Sequence, residues 1–490
     1  MTSDYRIAIL GAGIGGLGLA TRLTLAGERS FVVLEKEQAV GGTWRDNTYP
    51  GASCDVQSHL YWYSFDEHPD WSRVFAFQPE IQRNVEQLVE RHGLAEHVRL
   101  GAEVTSAVWD DAAGRWLIRT SGGEEVRAEV FVTAWGQLNR PSYKGVPGRE
   151  RFRGPAFHSA RWDHDVDLSG KRVAVIGNGA SAVQFIPEVA ETAGHLTVFQ
   201  RTPNYVVPRE DRPYDDAERE TFRRDQQAFL DSRNGFYVEH EGWMGAMKLE
   251  ANPVAEEFTR VARAHLEAQV PDPALREKLW PDYPIGCKRI IIADTFYPAL
   301  MRDNVDLVTE AIDGIEPEGV RTADGALHEV DVIIYATGFE TLSFVGDLDI
   351  RGREGVALKD AWHDGPQAYL GMNVAGFPNM FMLYGPNTNL GHNSIITMLE
   401  CQFDYVIKAL QALERERVRA LDIRPEVMRQ FNEQLQQELK GSSFAGSCNS
   451  WYKTADGRVT NNWSGSVEDY KARTSRFELA DYEVLEPASA

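Results

Sequence analysis

Two stretches decide the reading of this chain: Arg6-Ile-Ala-Ile-Leu-Gly11-Ala-Gly13-Ile-Gly-Gly16 near its start, and Lys171-Arg-Val-Ala-Val-Ile-Gly177-Asn-Gly179-Ala-Ser181-Ala182 further along. In each, a short apolar run with the character of a buried parallel strand leads straight into glycines. After Gly16, residues Leu17, Leu19, Ala20 and Leu23 follow at helical spacing. Strand, glycine turn and helix in that order make a cradle for a pyrophosphate. Gly11 permits the tight turn, Gly13 lets the backbone approach the anion, and Gly16 lets the helix pack on the strand. The helix N-terminus adds free amide donors and a favourable dipole. Two cradles predict an α/β fold with two Rossmann-like dinucleotide-binding domains.

The ends of the next strands tell the cradles apart. Ser30-Phe-Val-Val-Leu34 stops at Glu35, about twenty residues past the glycines, where a carboxylate can accept hydrogen bonds from a ribose diol. Leu196-Thr-Val-Phe199 runs instead into Gln200-Arg201-Thr202, and a guanidinium at the ribose position suits a 2′-phosphate. The expectation is FAD in the first site and NADPH in the second. The ordinary alternative makes Arg201 a solvated surface residue, and an unchanged NADPH-to-NADH preference in Arg201→Ala would favour it.

The 490 residues, 43% hydrophobic, suffice for two or three cores of ordinary size. A net charge of −22 argues against nucleic acid or an anionic membrane as partner. No apolar run reaches membrane-spanning length, and a strand starts within a few residues of Met1, so a cytoplasmic chain without a signal peptide is expected. Cys54, Cys287, Cys401 and Cys448 are dispersed, with no Cys-x-x-Cys pair, which argues against a disulfide scaffold and a dithiol reductase. No metal site is expected.

The organisation follows from the two cradles. Residues 1–140, joined by 341–490, are read as a discontinuous FAD-binding domain, and 171–340 as an NADPH-binding domain with a charged helical insertion at about 210–285. Residues 141–170 are read as a linker. Alternation over 104–135 suggests a β-meander. An aromatic-rich insertion (Tyr49, Tyr61, Trp62, Tyr63, Phe65, Trp71, Phe75, Phe77) follows the second strand, and with the helical insertion and Tyr384–His392 it is the expected source of a substrate pocket.

The linker carries Phe152-Arg-Gly154-Pro-Ala-Phe-His158-Ser-Ala-Arg-Trp162-Asp163, five specified residues in twelve positions, just before the second cradle. This segment resembles the fingerprint of type I Baeyer-Villiger monooxygenases, and the resemblance covers essentially the whole chain. Related N- and S-oxygenating flavin monooxygenases carry Phe or Tyr where Trp162 stands; they are the alternative reading. By the same likeness, Gly41-Gly-Thr43-Trp44, Tyr61 and Val104 match flavin-contacting positions, and Tyr49-Pro-Gly-Ala-Ser-Cys-Asp55 matches the loop whose aspartate lies near the isoalloxazine. In Gly286-Cys-Lys288-Arg289, Lys288 would assist Arg201 at the 2′-phosphate and Arg289 would be the essential active-site arginine. Ala336-Thr-Gly338-Phe339 resembles a strand end that links the two units. Tyr384-Gly-Pro-Asn387-Thr-Asn-Leu-Gly-His392 and Ser450-Trp451-Tyr452 resemble segments that close over flavin and nicotinamide.

The resemblance implies that NADPH reduces FAD, that O2 adds to give a C4a-peroxide, and that this anion attacks a ketone to yield an ester or lactone. Arg289, always charged, would stabilise the peroxide and the oxyanion that follows, with Asp55 holding it in place. Each site residue also has an ordinary reading: Asp55 and Arg289 as a structural ion pair, Trp44, Tyr61 and Trp162 as core aromatics, His158 and Trp162 as hinge or packing residues. A non-catalytic flavin-storage or NADPH-sensing protein would need neither Arg289 nor a ketone pocket.

Overall fold

The computed structural model describes residues 2–485. Thr2–Leu10 is the centre of the first sheet, with Phe31–Leu34 and then Val98–Arg99 on one side and Glu125–Thr133 on the other, all parallel. These strands are apolar on both faces because both faces are covered. Ile7, Ile9 and Val33 enter one core, while Ala8, Leu10, Val32 and Leu34 enter another on the opposite side.

Beyond Glu125–Thr133 the sheet splits. The N-terminal half of that strand pairs antiparallel with Arg115–Thr120, which pairs with Val104–Asp110, so the alternating segment does form a meander. Its C-terminal half pairs in parallel with Met380–Met382, a strand from far down the chain. Asp349–Arg351 adds to the outer edge against Val104–Asp110. Residues beyond 341 therefore rebuild the sheet that carries the first glycine loop.

The second sheet is wholly parallel, in the order Val305–Val308, His195–Phe199, Arg172–Ile176, Val332–Tyr335, Ala156–His158. This corrects one expectation. The stretch read as a linker donates an edge strand, and Ile333, Ile334 and Tyr335 stand opposite Ala156, Phe157 and His158.

The helical insertion holds Asp216–Arg224, Gln226–Gly242, Pro253–Gln269 and Pro273–Leu279. Their starts are written in the sequence. Asp215 and Glu218 form a reciprocal capping box; Asp225, Asn252 and Asp272 accept the first free amides of the other three; and Pro253 and Pro273 occupy the first turn, where no amide is needed. Among the described residues no helix is long and apolar enough to cross a membrane.

Two further expectations are corrected. Cys287 and Cys448 form a disulfide across 161 residues of sequence, a pairing that spacing alone does not reveal. In the aromatic insertion, Trp62, Tyr63, Trp71 and Phe75 lie in the protein interior, with Trp62, Tyr63 and Trp71 part of the main core. They fill volume, so most of that insertion is spent on packing.

Candidate active site

The first glycine loop is tightly constrained. A Cβ on Gly16 would sit 1.9 Å from the Gly11 carbonyl oxygen, so any side chain there drives helix and loop apart. Gly11, at φ +100°, turns under the end of the neighbouring strand, and a Cβ there would lie 2.7 Å from the Ala134 carbonyl oxygen. Helix Ile14–Leu25 begins at Gly13, whose side is roofed by Gly42 of the Gly41-Gly-Thr43-Trp44 turn. Glu35 is buried; its carboxylate accepts the Ala12 amide at 2.8 Å and contacts Arg45 at 3.2 Å. Exposed Thr43 opens a short helix, buried Trp44 donates to the Tyr61 hydroxyl at 3.3 Å, and Val104 is buried at the start of its strand. A bare backbone cradle, a carboxylate at its rim and an aromatic pair fit an adenine dinucleotide such as FAD.

The second loop repeats the device. Gly177, at φ +113°, would place a Cβ 2.3 Å from the Ala336 carbonyl oxygen, and Gly179 caps helix Ala180–Thr192 with open space where its Cβ would be. Ser181 lies in the first turn. Gln200 is buried and engaged twice, accepting from Asn178 at 2.8 Å and donating to the Lys278 carbonyl at 2.7 Å. Arg201 is exposed, with no hydrogen bond or ion pair among the described residues. Lys288 donates to the Thr202 hydroxyl at 2.5 Å and lies over the Tyr283 ring. Burial, and then the charge of Arg201, push the Lys288 ammonium below the usual lysine range. Two cations side by side at a dinucleotide cradle, the charge of Arg201 bearing on Lys288, fit a dianionic 2′-phosphate.

The two units meet at Asp55 and Arg289. Arg289 Nε donates to Asp55 Oδ2 at 2.8 Å, and Nη2 approaches the same oxygen at 2.6 Å. Both side chains keep 32% of their surface accessible although protein surrounds them closely. Burial alone would raise the Asp55 pKa; the charge and hydrogen bond of Arg289, helped by Arg209, outweigh it and hold the carboxyl below its ordinary value. The Asp55 carboxylate raises Arg289 further against its own burial. Tyr384 and Tyr452 border the pair, and burial raises the Tyr452 phenol to about 12, so it keeps its proton at neutral pH.

The C-terminal segments are tied to each other. The Asn387 and Asn389 amides donate to the Thr460 and Asn461 carbonyls, and Trp463 N–H returns to Asn389. Trp451 is half-buried, its carbonyl accepting from Thr341 and Asn461, with its ring against Tyr452. The disulfide sets this strand of chain two residues from Arg289.

In the fingerprint, Phe152 packs on the face of the second sheet that carries Ala174, Ile176 and Ile333, and a Cβ on Gly154 would collide with the Asp331 carbonyl oxygen at 2.5 Å. Trp162 stacks edge-on against Phe157 and Phe185, and exposed Asp163 caps the Asp165 amide. His158 is buried: Nδ1 accepts from the Ala160 amide, Nε2 has no partner among the described residues, and burial lowers its pKa to about 4. The fingerprint thus shapes the edge of the second sheet and lies apart from the Asp55–Arg289 pair.

Sequence reading missed Arg209, which grips the Asp55 loop, and His240, whose ring bridges the His392 carbonyl and Gln57 at 2.6 Å each. Neither belongs to a motif. Two open surface clefts flank Trp280 on the helical insertion, and no candidate residue lines either of them.

Comparison with known proteins agrees with this geometry. Residues 8–214 match the pyridine nucleotide-disulphide oxidoreductase family. A Baeyer-Villiger monooxygenase of Pseudomonas aeruginosa is 42% identical over 479 residues, spanning 97% of this chain and 91% of the relative. This chain belongs to the Baeyer-Villiger monooxygenases. Among solved structures, closed cyclohexanone monooxygenase matches with a TM-score of 0.89 at 29% identity, covering 99% of this chain and all of that one. OTEMO in complex with FAD and NADP matches with a TM-score of 0.86 at 29% identity over 98% of this chain and 99% of the other. This Baeyer-Villiger monooxygenase is an NADPH-dependent flavoprotein that uses FAD and NADPH.

Proposed function

We propose that the protein inserts one oxygen atom from O2 beside the carbonyl of a ketone, giving an ester or lactone, with Arg289 as the catalytic cation and Asp55 as its anchor. The observation that carries this reading is the Asp55–Arg289 pair, joined across the two units at 2.6 Å with about a third of each side chain still accessible.

FAD would be held by Gly11, Gly13, Gly16, Glu35, Thr43, Trp44, Tyr61 and Val104, and NADPH by Gly177, Gly179, Ser181, Gln200, Arg201, Thr202 and Lys288, with Trp451 over the nicotinamide side. In domain terms, 1–140 with 341–490 serve FAD and 171–340 serve NADPH. FAD reduced by NADPH supplies, when bound, dioxygen activated for attack on a carbonyl carbon. The protein's own part is electrostatic. As a carbonyl becomes tetrahedral its oxygen gains negative charge, and a guanidinium fixed beforehand stabilises that charge without reorganising. Asp55 engages Nε and Nη2 through one oxygen, so the remaining edge of the guanidinium stays free to donate. A carboxylate partner also offsets the cost of enclosing the cation. Tyr384 and Tyr452, neutral and apolar in body, help exclude water.

The test is Arg289→Ala. Flavin reduction by NADPH is expected to persist, whereas ester formation falls about 10²–10³-fold, the usual effect of losing one donor aimed at a developing oxyanion. Unimpaired ester production would sink the reading. Activity confined to sulfides and amines in the parent enzyme would replace it with an N- or S-oxygenating one.

A further inference from the structure

Arg209 is a partly buried arginine whose guanidinium bonds to no carboxylate among the described residues. It follows the short strand Val206–Val207 of the second unit, and its backbone amide is tied to Asp294 Oδ1 at 2.8 Å. From this anchor the side chain crosses to the first unit. Nη1 donates to Ser53 Oγ at 2.9 Å and Nη2 donates to the Cys54 carbonyl at 2.8 Å, while the guanidinium covers the Phe75 ring at 4.9 Å. Its Nε is sealed from solvent without a partner among the described residues. Enclosing a guanidinium this far without a bonded carboxylate is costly; the nearby charges of Asp211 and Asp55 offset part of that cost, and the fork offsets more.

The fork closes on the two residues immediately before Asp55. The same stretch is gripped from the other side by Gln184 on helix Ala180–Thr192. Its side-chain amide accepts from the Ser53 amide at 3.3 Å and from the Tyr49 hydroxyl at 3.0 Å, and donates to the Ser53 carbonyl at 3.1 Å. Asp55 therefore sits at the end of a loop clamped by the second unit, and Arg289, its partner, also comes from the second unit. Without a clamp the loop would be free to follow the first unit whenever the two units shift, and the 2.6 Å contact would open.

We propose that Arg209 is a positioning residue for oxygenation: its guanidinium locks the Ser53–Cys54 peptide to the second unit, so that Asp55 stays registered on Arg289. This rests on the ketone-oxygenating reading given above. Arg209 supplies two separable things, a two-pronged hydrogen-bond fork and a positive charge near Asp55. Lys at this position would keep the charge and lose the fork; Met would lose both while keeping an apolar stem over Phe75.

The experiment uses the FAD-loaded full chain, with whichever of a cyclic, a linear and an aryl ketone gives most ester. Three readouts are compared across the parent, Arg209→Lys and Arg209→Met: ester formed per NADPH consumed, the pH profile of that ratio, and hydrogen exchange of peptides spanning residues 49–57. In Arg209→Met, ester per NADPH is expected to fall about tenfold with a matching rise in hydrogen peroxide, while the rate of flavin reduction stays within about threefold. Exchange in 49–57 should quicken at least fivefold. The acid limb of the pH profile should move to higher pH, because removing a cation from beside Asp55 lets its carboxyl take a proton more readily. Arg209→Lys should lose exchange protection and part of the coupling with the acid limb unmoved.

The proposal is overturned if Arg209→Met keeps parental coupling and exchange, if flavin reduction falls as far as ester formation, or if Arg209→Lys retains full exchange protection. That last measurement decides the matter should the methionine variant fail to fold. Arg289→Ala run in parallel separates the two claims: its unimpaired ester yield would remove the underlying reading, whereas its loss of ester beside an inert Arg209→Met would remove only the clamp.

Discussion

The two nucleotide units are built on one plan and differ in how closed they are. In both, the first glycine turns beneath an alanine carbonyl at the end of the adjoining strand, Ala134 in one and Ala336 in the other, and that alanine's amide returns to the strand before the loop, at Leu10 and Ile176. The third position separates them. Gly16 has no room for a methyl group, but Ala182, its counterpart, is fully buried without displacing its loop. The second position separates them again: Gly42 roofs Gly13, and nothing lies near Gly179. A cradle packed to contact and roofed by its own unit suits a cofactor that stays. One left open, with unpaired Arg201 at its rim, suits a cofactor that enters and leaves with every turnover.

The sharpest way to break this comparison is to exchange the third positions. Gly16→Ala should yield protein with at least tenfold less flavin, read from visible absorbance on purification, because the new methyl meets backbone and cannot be relieved by rotating a side chain. Yellow, fully loaded Gly16→Ala would show that the first cradle is no tighter than the second.

Next in size are the cations of the open cradle. Arg201→Ala and Lys288→Ala should each lower the NADPH-over-NADH preference about 10- to 100-fold, in line with about 1.5–3 kcal/mol for a hydrogen bond to a charged group. KM for NADH should hardly move. The pH dependence has a definite sign. Lys288 gives up its proton below the usual lysine range, so as pH rises through that lowered value the cation is lost and KM for NADPH climbs. KM for NADH should stay flat, and Lys288→Ala should abolish the slope.

The smallest effect belongs to the reverse exchange. Ala182→Gly should cost about 1–2 kcal/mol of stability, through backbone entropy and the loss of one buried methyl group, and leave KM for NADPH within twofold. A large rise in KM would mean that the second helix is positioned as critically as the first.

Much of this was legible in the sequence because it depends on neighbours along the chain. Strand, glycine and helix signals are local, and so are Glu35 and Arg201, held one and two residues past a strand whose register fixes where each emerges. The helix caps at Asp215, Asn252 and Asp272 are signals of the same local kind, although only the structure brought them out. Asp55 and Arg289 were found through family likeness; spacing would not have paired residues 234 apart.

What the amino-acid order determined by itself was two dinucleotide cradles, each followed by a strand that ends near a side chain of opposite charge, since turn geometry, helix dipole and strand register are set within about thirty residues. Only the tertiary structure decided that Trp62, Tyr63 and Trp71 fill a core, that Cys287 meets Cys448, that residues 156–158 edge the second sheet, and that Arg209 holds the loop before Asp55. Each of these depends on which distant surfaces come together, and burial and hydrogen bonding reward such meetings through space, with no trace in the spacing of residues along the chain.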